Sequence, residues 1–473
     1  MQVLDIFGKG VQSYSAVVTA QRRLNCFYDL RPDGDKFNVS IVGTPGTILD
    51  LVLPTSPIRG FWVVGSLLYA VAGSILYSIT SGGVATLRGI IGTTTGKVSM
   101  ADNGTQIMIV DGSAGYIYTI ATTTLSTIVD ANFPNGAATV TFLNGRFFVE
   151  KAGTRQFYES QSYDGTLWTP LIFATKENAS DVLKAVGVFN GLLILWGTTT
   201  MEFWQDVGAA PLTVTRINGG TQSWGLAAVN SRAQVNNTQY FLGNRPEGGY
   251  QIARLRGYNP EAVSTSDIDS IINGFSTVSD AVALTYTVYG HQMYQITFPT
   301  AMRSFLFDTI SSIWFEVQTG VAQTARHVAE LGIVFNSINY ISDSSTGNIY
   351  HFSPDAYTDN GTPIKRQIRS KHINNGGNRF VISEVYLDME VGVALQSGQG
   401  SDPQLMVQVS KDMGQTFGVE RLVSLGQVGQ YMTRVIMRRF GQSIDFVFQF
   451  TMTDPVKFIL TRGSGTMIGG SDG

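Results

Sequence analysis

Charged residues are scarce in this chain of 473 residues. They make up 14% of the sequence, against roughly 25% in a typical soluble domain, and the formal net charge is −3. Proteins that hold nucleic acid tightly carry an excess of Lys and Arg, which neutralise phosphates and release counterions. The composition therefore argues against a dedicated nucleic-acid-binding protein.

Cysteine and histidine are nearly absent as well. Cys26 is the only cysteine, so the chain cannot form an internal disulfide or a thiolate cluster. The four histidines are His291, His327, His351 and His372. They lack the close spacing of a metal site, so we predict no metal, no cofactor and no enzymatic activity.

One uncharged run is long enough to cross a membrane. Residues 61–79 contain no charged side chain over 19 positions, about the minimum for a transmembrane helix. Gly65 and Gly73 divide the run into pieces of strand length, and its aromatic and β-branched residues are typical of strands. We predict two buried strands of a hairpin and no direct membrane span, with a transmembrane helix as the alternative.

What the chain does contain is glycine, with 52 residues, and a repeated unit. In each copy an apolar strand leads to a turn, and a strand with aromatic residues follows. The turns lie at or near Gly73, Gly112, Gly153, Gly197 and Gly243. Intervals of 39 to 46 residues match a four-stranded propeller blade. With two looser copies in 290–317 and 338–352, the pattern predicts an all-β protein with a propeller of about six to seven blades; a long sandwich or solenoid is the alternative.

The pattern changes after residue 360. Val385, Leu387 and Met389 alternate with polar residues, and a second alternating segment spans 444–450. Period-two alternation predicts strands that are buried on one face. We therefore divide the chain into an N-terminal strand or arm region (1–55), a β-propeller body (56–360) and a C-terminal β-sandwich (361–473).

One motif in the predicted sandwich is an Asp box, with the pattern S-x-D-x-G-x-T-aromatic. Its residues are Ser410, Asp412, Gly414, Thr416 and Phe417. Asp and Gly are turn formers, and an Asp side chain can accept hydrogen bonds from nearby backbone N–H groups. The motif predicts a structural hairpin turn and no catalytic role.

Two groups of basic residues lie in the last part of the chain. The first extends over 365–379, and the second consists of Arg434, Arg438 and Arg439. In a regular strand Arg434 and Arg438 share one face and Arg439 points to the other. We interpret the second group as a possible face for binding a partner. For both groups the alternative is a solvated linker or strand face.

Several segments together resemble one family, the packaged-DNA stabilisation or tail hub (nozzle) proteins of podoviruses, which are short-tailed bacteriophages. The resembling segments are residues 23–60, 192–211, 290–299, 357–366 and 410–456. They occur in the expected order and span most of the chain.

The resemblance implies a propeller body and a hexameric ring below the portal and its adaptor, the head-to-tail connector. This ring would close the channel, retain packaged DNA, and conduct double-stranded DNA at ejection without reading its sequence. The resemblance also implies contacts with other tail proteins (spike, fibre or needle), a place in the virion after assembly in the host bacterial cytoplasm, and no catalysis.

The alternative function is a carbohydrate-binding or sialidase-like propeller. Sialidases combine β-propellers with Asp boxes and use arginines and a tyrosine nucleophile. The arginines and tyrosines of this chain are scattered in sequence, so the sequence alone leaves open whether any of them converge.

Overall fold

The structure is a computed structural model that describes Gly8 and residues 15–31, 38–177 and 179–469. Within these residues the chain forms 42 strands, one α-helix and one short 3-10 helix, Val229–Ser231. The strands build seven blades around a central axis and a two-sheet sandwich beside them. The predicted fold, a β-propeller of six to seven blades with a C-terminal β-sandwich, is confirmed.

The propeller begins after four N-terminal strands. These are β1 (Arg22–Leu24), β2 (Cys26–Leu30), β3 (Val39–Gly43) and β4 (Gly46–Val52). Blade 1 contains β5 (Ile58–Val64), β6 (Leu67–Ala72), β7 (Ile75–Ile79) and β8 (Ala85–Ile90). Blade 2 contains β9 (Ser99–Asp102), β10 (Gln106–Val110), β11 (Gly115–Thr119) and β12 (Thr124–Thr127). Blade 3 contains β13 (Val140–Leu143), β14 (Arg146–Glu150), β15 (Gln156–Gln161) and β16 (Asp164–Thr175).

The second half of the propeller is less regular. Blade 4 contains β17 (Leu183–Phe189), β18 (Leu192–Gly197), β19 (Met201–Asp206) and β20 (Val214–Arg216). Blade 5 contains β21 (Gly225–Leu226), β22 (Ala233–Val235), β23 (Thr238–Asn244), β24 (Tyr250–Arg256) and β25 (Asn259–Ala262), and α1 (Ser266–Asn273) follows it. Blade 6 contains β26 (Val282–Val288), β27 (His291–Phe298), β28 (Arg303–Asp308) and β29 (Ile313–Val317). Blade 7 contains β30 (Ala329–Phe335), β31 (Ile338–Asp343) and β32 (Asn348–Ser353).

Turn glycines explain the repeat that is visible in the sequence. Gly73, Gly112 and Gly153 have positive φ values of 53°, 82° and 70° and connect the second strand to the third strand in blades 1 to 3. Glycine adopts this left-handed conformation without steric cost. Gly197 instead ends β18 of blade 4, and Gly243 lies in β23, which is second in the sheet order of blade 5; the turns follow them. The repeat thus marks successive second strands.

The uncharged run at 61–79 belongs to blade 1. It forms most of β5 and all of β6 and β7, so it supplies three strands where the sequence predicted two. Among the described residues, no helix is both long and apolar enough to span a membrane.

The ring closes through an N-terminal strand. β4 pairs antiparallel with β32 and forms the outer strand of blade 7, while the chain continues directly from β4 into blade 1. His351 Nδ1 and Asp50 Oδ2 lie 2.7 Å apart across this pairing. Residues 46–52, which the sequence pattern assigns to the N-terminal strand or arm region, therefore complete the last blade of the propeller.

The remaining strands form the sandwich and the segment leading to it. They are β33 (Thr358–Asp359), β34 (Thr362–Pro363), β35 (Arg366–Arg369), β36 (Ile373–Asn374), β37 (Phe380–Met389), β38 (Gln404–Ser410), β39 (Arg421–Ser424), β40 (Val435–Ser443), β41 (Asp445–Met452) and β42 (Ile459–Gly469). One sheet has the order β2-β3-β42-β37-β40. The other has the order β1-β35-β41-β38-β39 and continues the sheet of blade 6, because β1 pairs parallel with β29.

A single corner residue divides the N-terminal segment between the two sandwich sheets. Asn25 has a φ of 53°, so β1 enters one sheet and β2 enters the other. Its buried side chain donates to the carbonyl oxygens of Gln318, at 3.0 Å, and Lys365, at 2.9 Å, and accepts from the Gln318 N–H at 2.9 Å. The corner therefore connects blade 6, the N-terminal segment and the start of the sandwich.

One hydrophobic core extends across the junction. Phe315 and Phe352 of the propeller belong to the same buried cluster as Phe27, Phe448 and Phe450 of the sandwich. The two bodies share buried apolar surface as well as a sheet, which is why they pack as one unit.

Candidate functional site

The Asp box forms a closely bonded turn after β38. The Ser410 hydroxyl donates to Asp412 Oδ1 at 2.6 Å, and the Gly414 N–H donates to the Ser410 hydroxyl at 2.9 Å. The Thr416 N–H donates to Asp412 Oδ1 at 2.9 Å. Hydrogen bonds to the Asp412 carboxylate, first from the Ser410 hydroxyl and then from the Thr416 hydroxyl and N–H, lower its pKa to about 2. A carboxylate held ionised in this way suits a structural turn and is a poor proton donor.

The far side of this turn packs against other parts of the chain. The guanidinium of Arg369 lies 4.7 Å from the ring centre of Phe417, a cation–π contact. Gly414 has a φ of 82°, and a Cβ atom at that position would lie 2.6 Å from Cβ of Ala20. The Asp box thus packs directly against the N-terminal segment and holds it on the sandwich.

The predicted basic face lies at the edge strand β40. Arg434 precedes this strand, and the side chains of Arg434, Arg438 and Arg439 are all exposed. Arg438 Nε donates to Glu384 Oε2 of β37 at 3.2 Å, so Arg438 is partly neutralised.

The orientation that period-two alternation predicts for Arg439 is wrong. Arg439 has a φ of 66°, and the register of β37 against β40 shifts between Ile382 and Glu384. This bulge inserts a residue, so the next side chain, Phe440, takes the buried position. A bulge redirects side chains in this way, and all three arginines point outward.

A groove of about 780 Å³ opens beside these arginines. Its lining includes Tyr386, Asp388, Tyr431, Met432, Arg434 and Arg462. Met432 is 91% exposed and Tyr431 is 69% exposed. Tyr, Met and Arg are the residue types enriched at protein interfaces. Sequence reasoning missed this groove, because its walls come from three strands that are distant in sequence.

Most side chains of the basic group at 365–379 are buried or hydrogen-bonded at the junction of propeller and sandwich. Arg366 is buried, and Arg369 Nε donates to Gln449 Oε1 at 2.7 Å. His372 contacts Asp445 Oδ1 through Nδ1 at 2.9 Å and the Ala16 carbonyl through Nε2 at 2.8 Å. This part of the chain is neither a solvated linker nor an open phosphate site.

An ion-pair network connects blade 2 with blade 7. Lys97, just before β9 of blade 2, lies 2.8 Å from Glu330 on β30 of blade 7, and Arg326 also pairs with Glu330. Blade 1 lies between blades 2 and 7. The guanidinium of Arg59, on its first strand, is buried and donates to the Thr93 carbonyl oxygen at 2.7 Å.

The described residues hold no metal-binding cluster, and three of their arginines are buried. Among residues 15–31, 38–177 and 179–469, no group of three or more His, Cys, Asp and Glu side chains could hold a metal ion. Arg23, Arg59 and Arg366 are buried, so their guanidinium groups do not face a cleft in which a sugar carboxylate could bind.

Two family models match the chain. The model of the bacteriophage P22 Gp10 β-propeller matches residues 55–357, and the model of the Gp10 β-sandwich matches residues 365–467. A comparison with curated proteins finds no match.

The similar solved structures have little sequence identity to this chain. The extracellular domain of a hybrid two-component system from B. thetaiotaomicron is 6% identical with a TM-score of 0.44; the match covers 76% of this chain and 43% of that one, so this chain spans less than half of its length. The Pan2 WD40 domain of Neurospora crassa is 11% identical with a TM-score of 0.43, over 66% and 95% of the two chains. BamB from Moraxella catarrhalis is 9% identical with a TM-score of 0.39, over 66% and 97%.

The family matches cover both bodies that the structure contains. They agree with the architecture of seven blades and a sandwich, and a structural role in a phage tail, as a component of the virion, follows from them. The chain therefore belongs to the family of bacteriophage P22 Gp10, the packaged-DNA stabilisation or tail hub proteins of podoviruses.

Proposed function

We propose that this protein forms a hexameric ring below the portal and its adaptor, closes the tail channel, retains packaged DNA and conducts it at ejection. Membership of the Gp10 family is the observation that carries this proposal. The protein acts by position and by contact with its neighbours. It uses no catalytic group, and the host cytoplasm is where it joins the particle.

In this proposal DNA passes between copies of the chain and not along the axis of a single propeller. A ring of copies provides such a passage.

The charge of the chain suits a conduit that must release DNA quickly. Each Lys or Arg that neutralises a phosphate adds salt-dependent affinity. The first 360 residues carry 20 Lys and Arg against 26 Asp and Glu, so the body attracts DNA weakly. Residues 361–473 carry 12 basic side chains against 9 acidic ones.

The test is a phage that lacks this protein. Its heads are expected to package DNA and then lose it, measured as DNA left accessible to nuclease. Adding the purified protein to freshly filled heads is expected to restore protection, and mass measurement of portal–adaptor complexes is expected to show six copies. Heads that retain protected DNA and infect cells without the protein would contradict the proposal.

The exposed arginines in β40 and just before it are the proposed contact with another tail protein, such as a spike, fibre or needle. Arg434 lines a groove with exposed Tyr431 and Met432, and exposed Arg438 and Arg439 follow in β40. Arginines beside exposed aromatic and apolar side chains fit a partner with acidic and apolar side chains. The adaptor would contact a different surface of the ring.

Reversing the charge of the three arginines to Glu is expected to impair tail completion while leaving the ring on the portal. The matched control reverses Arg155 and Arg256, which are exposed on the propeller. Normal infectious particles from the triple variant would refute this contact.

A further inference from the structure

A carboxylate without a hydrogen-bond partner is buried between the propeller and the sandwich. Asp359 lies on β33, which pairs with β4 through a single residue pair, Asp359 with Thr47. Asp359 is 5% exposed, and neither of its carboxylate oxygens has a hydrogen-bond partner among the described residues. A buried carboxylate of this kind is costly when it is ionised. One role of such a group in a folded protein is to store strain.

The neighbouring hydroxyl groups do not compensate for the burial of Asp359. Burial raises the pKa of Asp359 to about 7, and the hydroxyls of Thr319 and Thr47 offset only part of that rise. The Thr319 hydroxyl accepts from the Val328 N–H at 3.0 Å. The Thr47 hydroxyl is itself buried without a hydrogen-bond partner in the described part of the chain. Asp359 is therefore protonated in the folded protein at mildly acidic pH.

A buried positive charge lies in the sandwich, close to this carboxyl group. Arg366 is the first residue of β35 and is 1% exposed. Its Nε and Nη1 atoms have no hydrogen-bond partner among the residues that the structure describes. The charge of Arg366 acts on Asp359 and lowers its pKa, but by less than burial raises it. Asp359 belongs to the sheet of blade 7 and Arg366 to the sandwich, so the linker between the two bodies connects opposite charges.

Other titratable groups around Asp359 keep one protonation state between pH 5 and pH 8. Burial raises the pKa of both Tyr286 and Tyr350, and the charge of Asp359 raises each further, so both phenols stay neutral. His327 lies 6.0 Å from Phe352 between ring centres, and burial lowers its pKa to about 4. The change of charge in this pH range is therefore the ionisation of Asp359.

The hairpin that carries Asp359 is short. β33 and β34 have two residues each. The backbone hydrogen bonds to the neighbouring strand include those from the Asn360 N–H to the Thr47 carbonyl, at 2.9 Å, and from the Gly46 N–H to the Ala356 carbonyl, at 2.8 Å. A segment with so few bonds opens locally at a lower free energy than the propeller or the sandwich unfolds.

We propose that Asp359 is a latch, controlled by protonation, on the hairpin between the propeller and the sandwich. With its proton, the neutral carboxyl group stays buried and the hairpin remains closed on β4. Without it, the carboxylate moves into water and the hairpin opens. Since β4 completes blade 7, the latch sets how firmly the outer strand of that blade is covered. The latch is a property of the single chain and does not depend on the proposed ring.

The opening equilibrium depends on pH in a defined direction. Between the ordinary pKa of 3.8 and the folded value of about 7, the open hairpin has lost the proton and the closed hairpin keeps it. Closure therefore weakens as the pH rises through this range, and the effect levels off above the folded pKa. Each pH unit within the range changes the opening equilibrium by about tenfold. Opening should increase about tenfold or more between pH 5.5 and pH 8.

Deuterium exchange of the full chain tests the latch. Peptides that contain the amides of Gly46 and Asn360 are measured at pH 5.5 and pH 8, with rates corrected for the intrinsic pH dependence of exchange. Their protection is expected to fall by tenfold or more at pH 8 in the unmodified protein. In Asp359→Asn, which keeps the shape and removes the charge, protection at pH 8 is expected to equal that at pH 5.5.

The matched control is Asp343→Asn in the same blade. Asp343 is 6% exposed, and its carboxylate accepts from the N–H groups of Ser345 at 2.8 Å and Thr346 at 3.0 Å. This variant is expected to keep the pH dependence of the unmodified protein, because Asp343 has partners for its charge.

A substitution of Arg366 provides a second variant. Arg366→Gln removes the charge that favours the carboxylate, so the pH at which protection falls is expected to rise. Protection that is the same at both pH values in the unmodified protein would overturn the proposal, and so would an equal fall in Asp359→Asn. If Asp359→Asn does not fold, the pH profile of the unmodified protein and its shift in Arg366→Gln decide the question.

Discussion

The corner at Asn25 gives the most direct test of how the two bodies are joined. Its side chain makes three hydrogen bonds of 2.9 to 3.0 Å to Gln318 and Lys365, and Asn25 is 1% exposed. Its φ of 53° lies in the left-handed region. Both features contribute to stability, and substitution can separate them.

The expected magnitudes follow from these contacts. Asn25→Gly keeps the left-handed backbone and removes the three bonds, which at about 1 kcal/mol each lowers the free energy of unfolding by about 3 kcal/mol. Asn25→Ala removes the same bonds and adds a left-handed penalty of about 1 kcal/mol or more, for a total of about 4 kcal/mol. Asn25→Asp keeps the acceptor for Gln318 N–H and loses both donors.

The assay is urea unfolding of the full chain, followed by tryptophan fluorescence, with limited proteolysis near Lys365 as a local readout. The expected order of stability is unmodified protein, then Asn25→Gly, then Asn25→Ala. Proteolysis at the junction should rise in the same order. If Asn25→Gly is as stable as the unmodified protein, the side-chain bonds do not hold the junction, and the reasoning fails.

Three further predictions concern buried ionisable groups. The hydrogen bond with Asp308 raises the pKa of His291 above its ordinary value of 6.5. The protonated His291 therefore stabilises the folded protein fully below about pH 6.5, and this stabilisation is lost as the pH rises through the folded pKa. Urea unfolding midpoints measured against pH should lose this dependence in His291→Gln. Burial raises the pKa of Cys26 to about 12, so a thiol reagent should label the protein only when it unfolds; rapid labelling of the native protein would refute this. Glu330→Gln leaves Lys97 partly buried without its carboxylate and should lower the free energy of unfolding by about 3 kcal/mol, measured in urea, whereas replacing both residues with Leu should recover part of the loss.

The position of the Asp box does not support the alternative of a carbohydrate-binding or sialidase-like propeller. An Asp box and a propeller occur together in this chain, but the Asp box lies in the sandwich, where Asp412 bonds Ser410 and Thr416. The family matches favour the structural role in a phage tail.

Local pattern was sufficient to predict the classes of structure. Gly73, Gly112 and Gly153 mark turns because glycine alone adopts positive φ freely, and their spacing indicated a blade of about 40 residues. Alternation along β37 predicted the sandwich because successive side chains of a strand point to opposite faces. The propeller and the sandwich could therefore be predicted before any contact was known.

The placement of the predicted partner face was only partly visible. Three arginines near residue 436 could be identified as basic, but the bulge at Arg439 could not be predicted, because it depends on how β40 registers against β37. The groove beside Arg434 could not be predicted either, because Tyr386 and Tyr431 approach each other only in the folded chain.

The sequence by itself determined the all-β class, the repeat, the neutral composition and the family resemblance, since each resides in local pattern or in the order of short segments. Tertiary structure alone decided that β4 closes blade 7 and that Asn25 turns the chain from one sheet to the other. It alone also showed that Lys97, just before blade 2, pairs with Glu330 of blade 7. These features pair residues hundreds of positions apart, and pairing over that distance depends on packing and register rather than on local propensity.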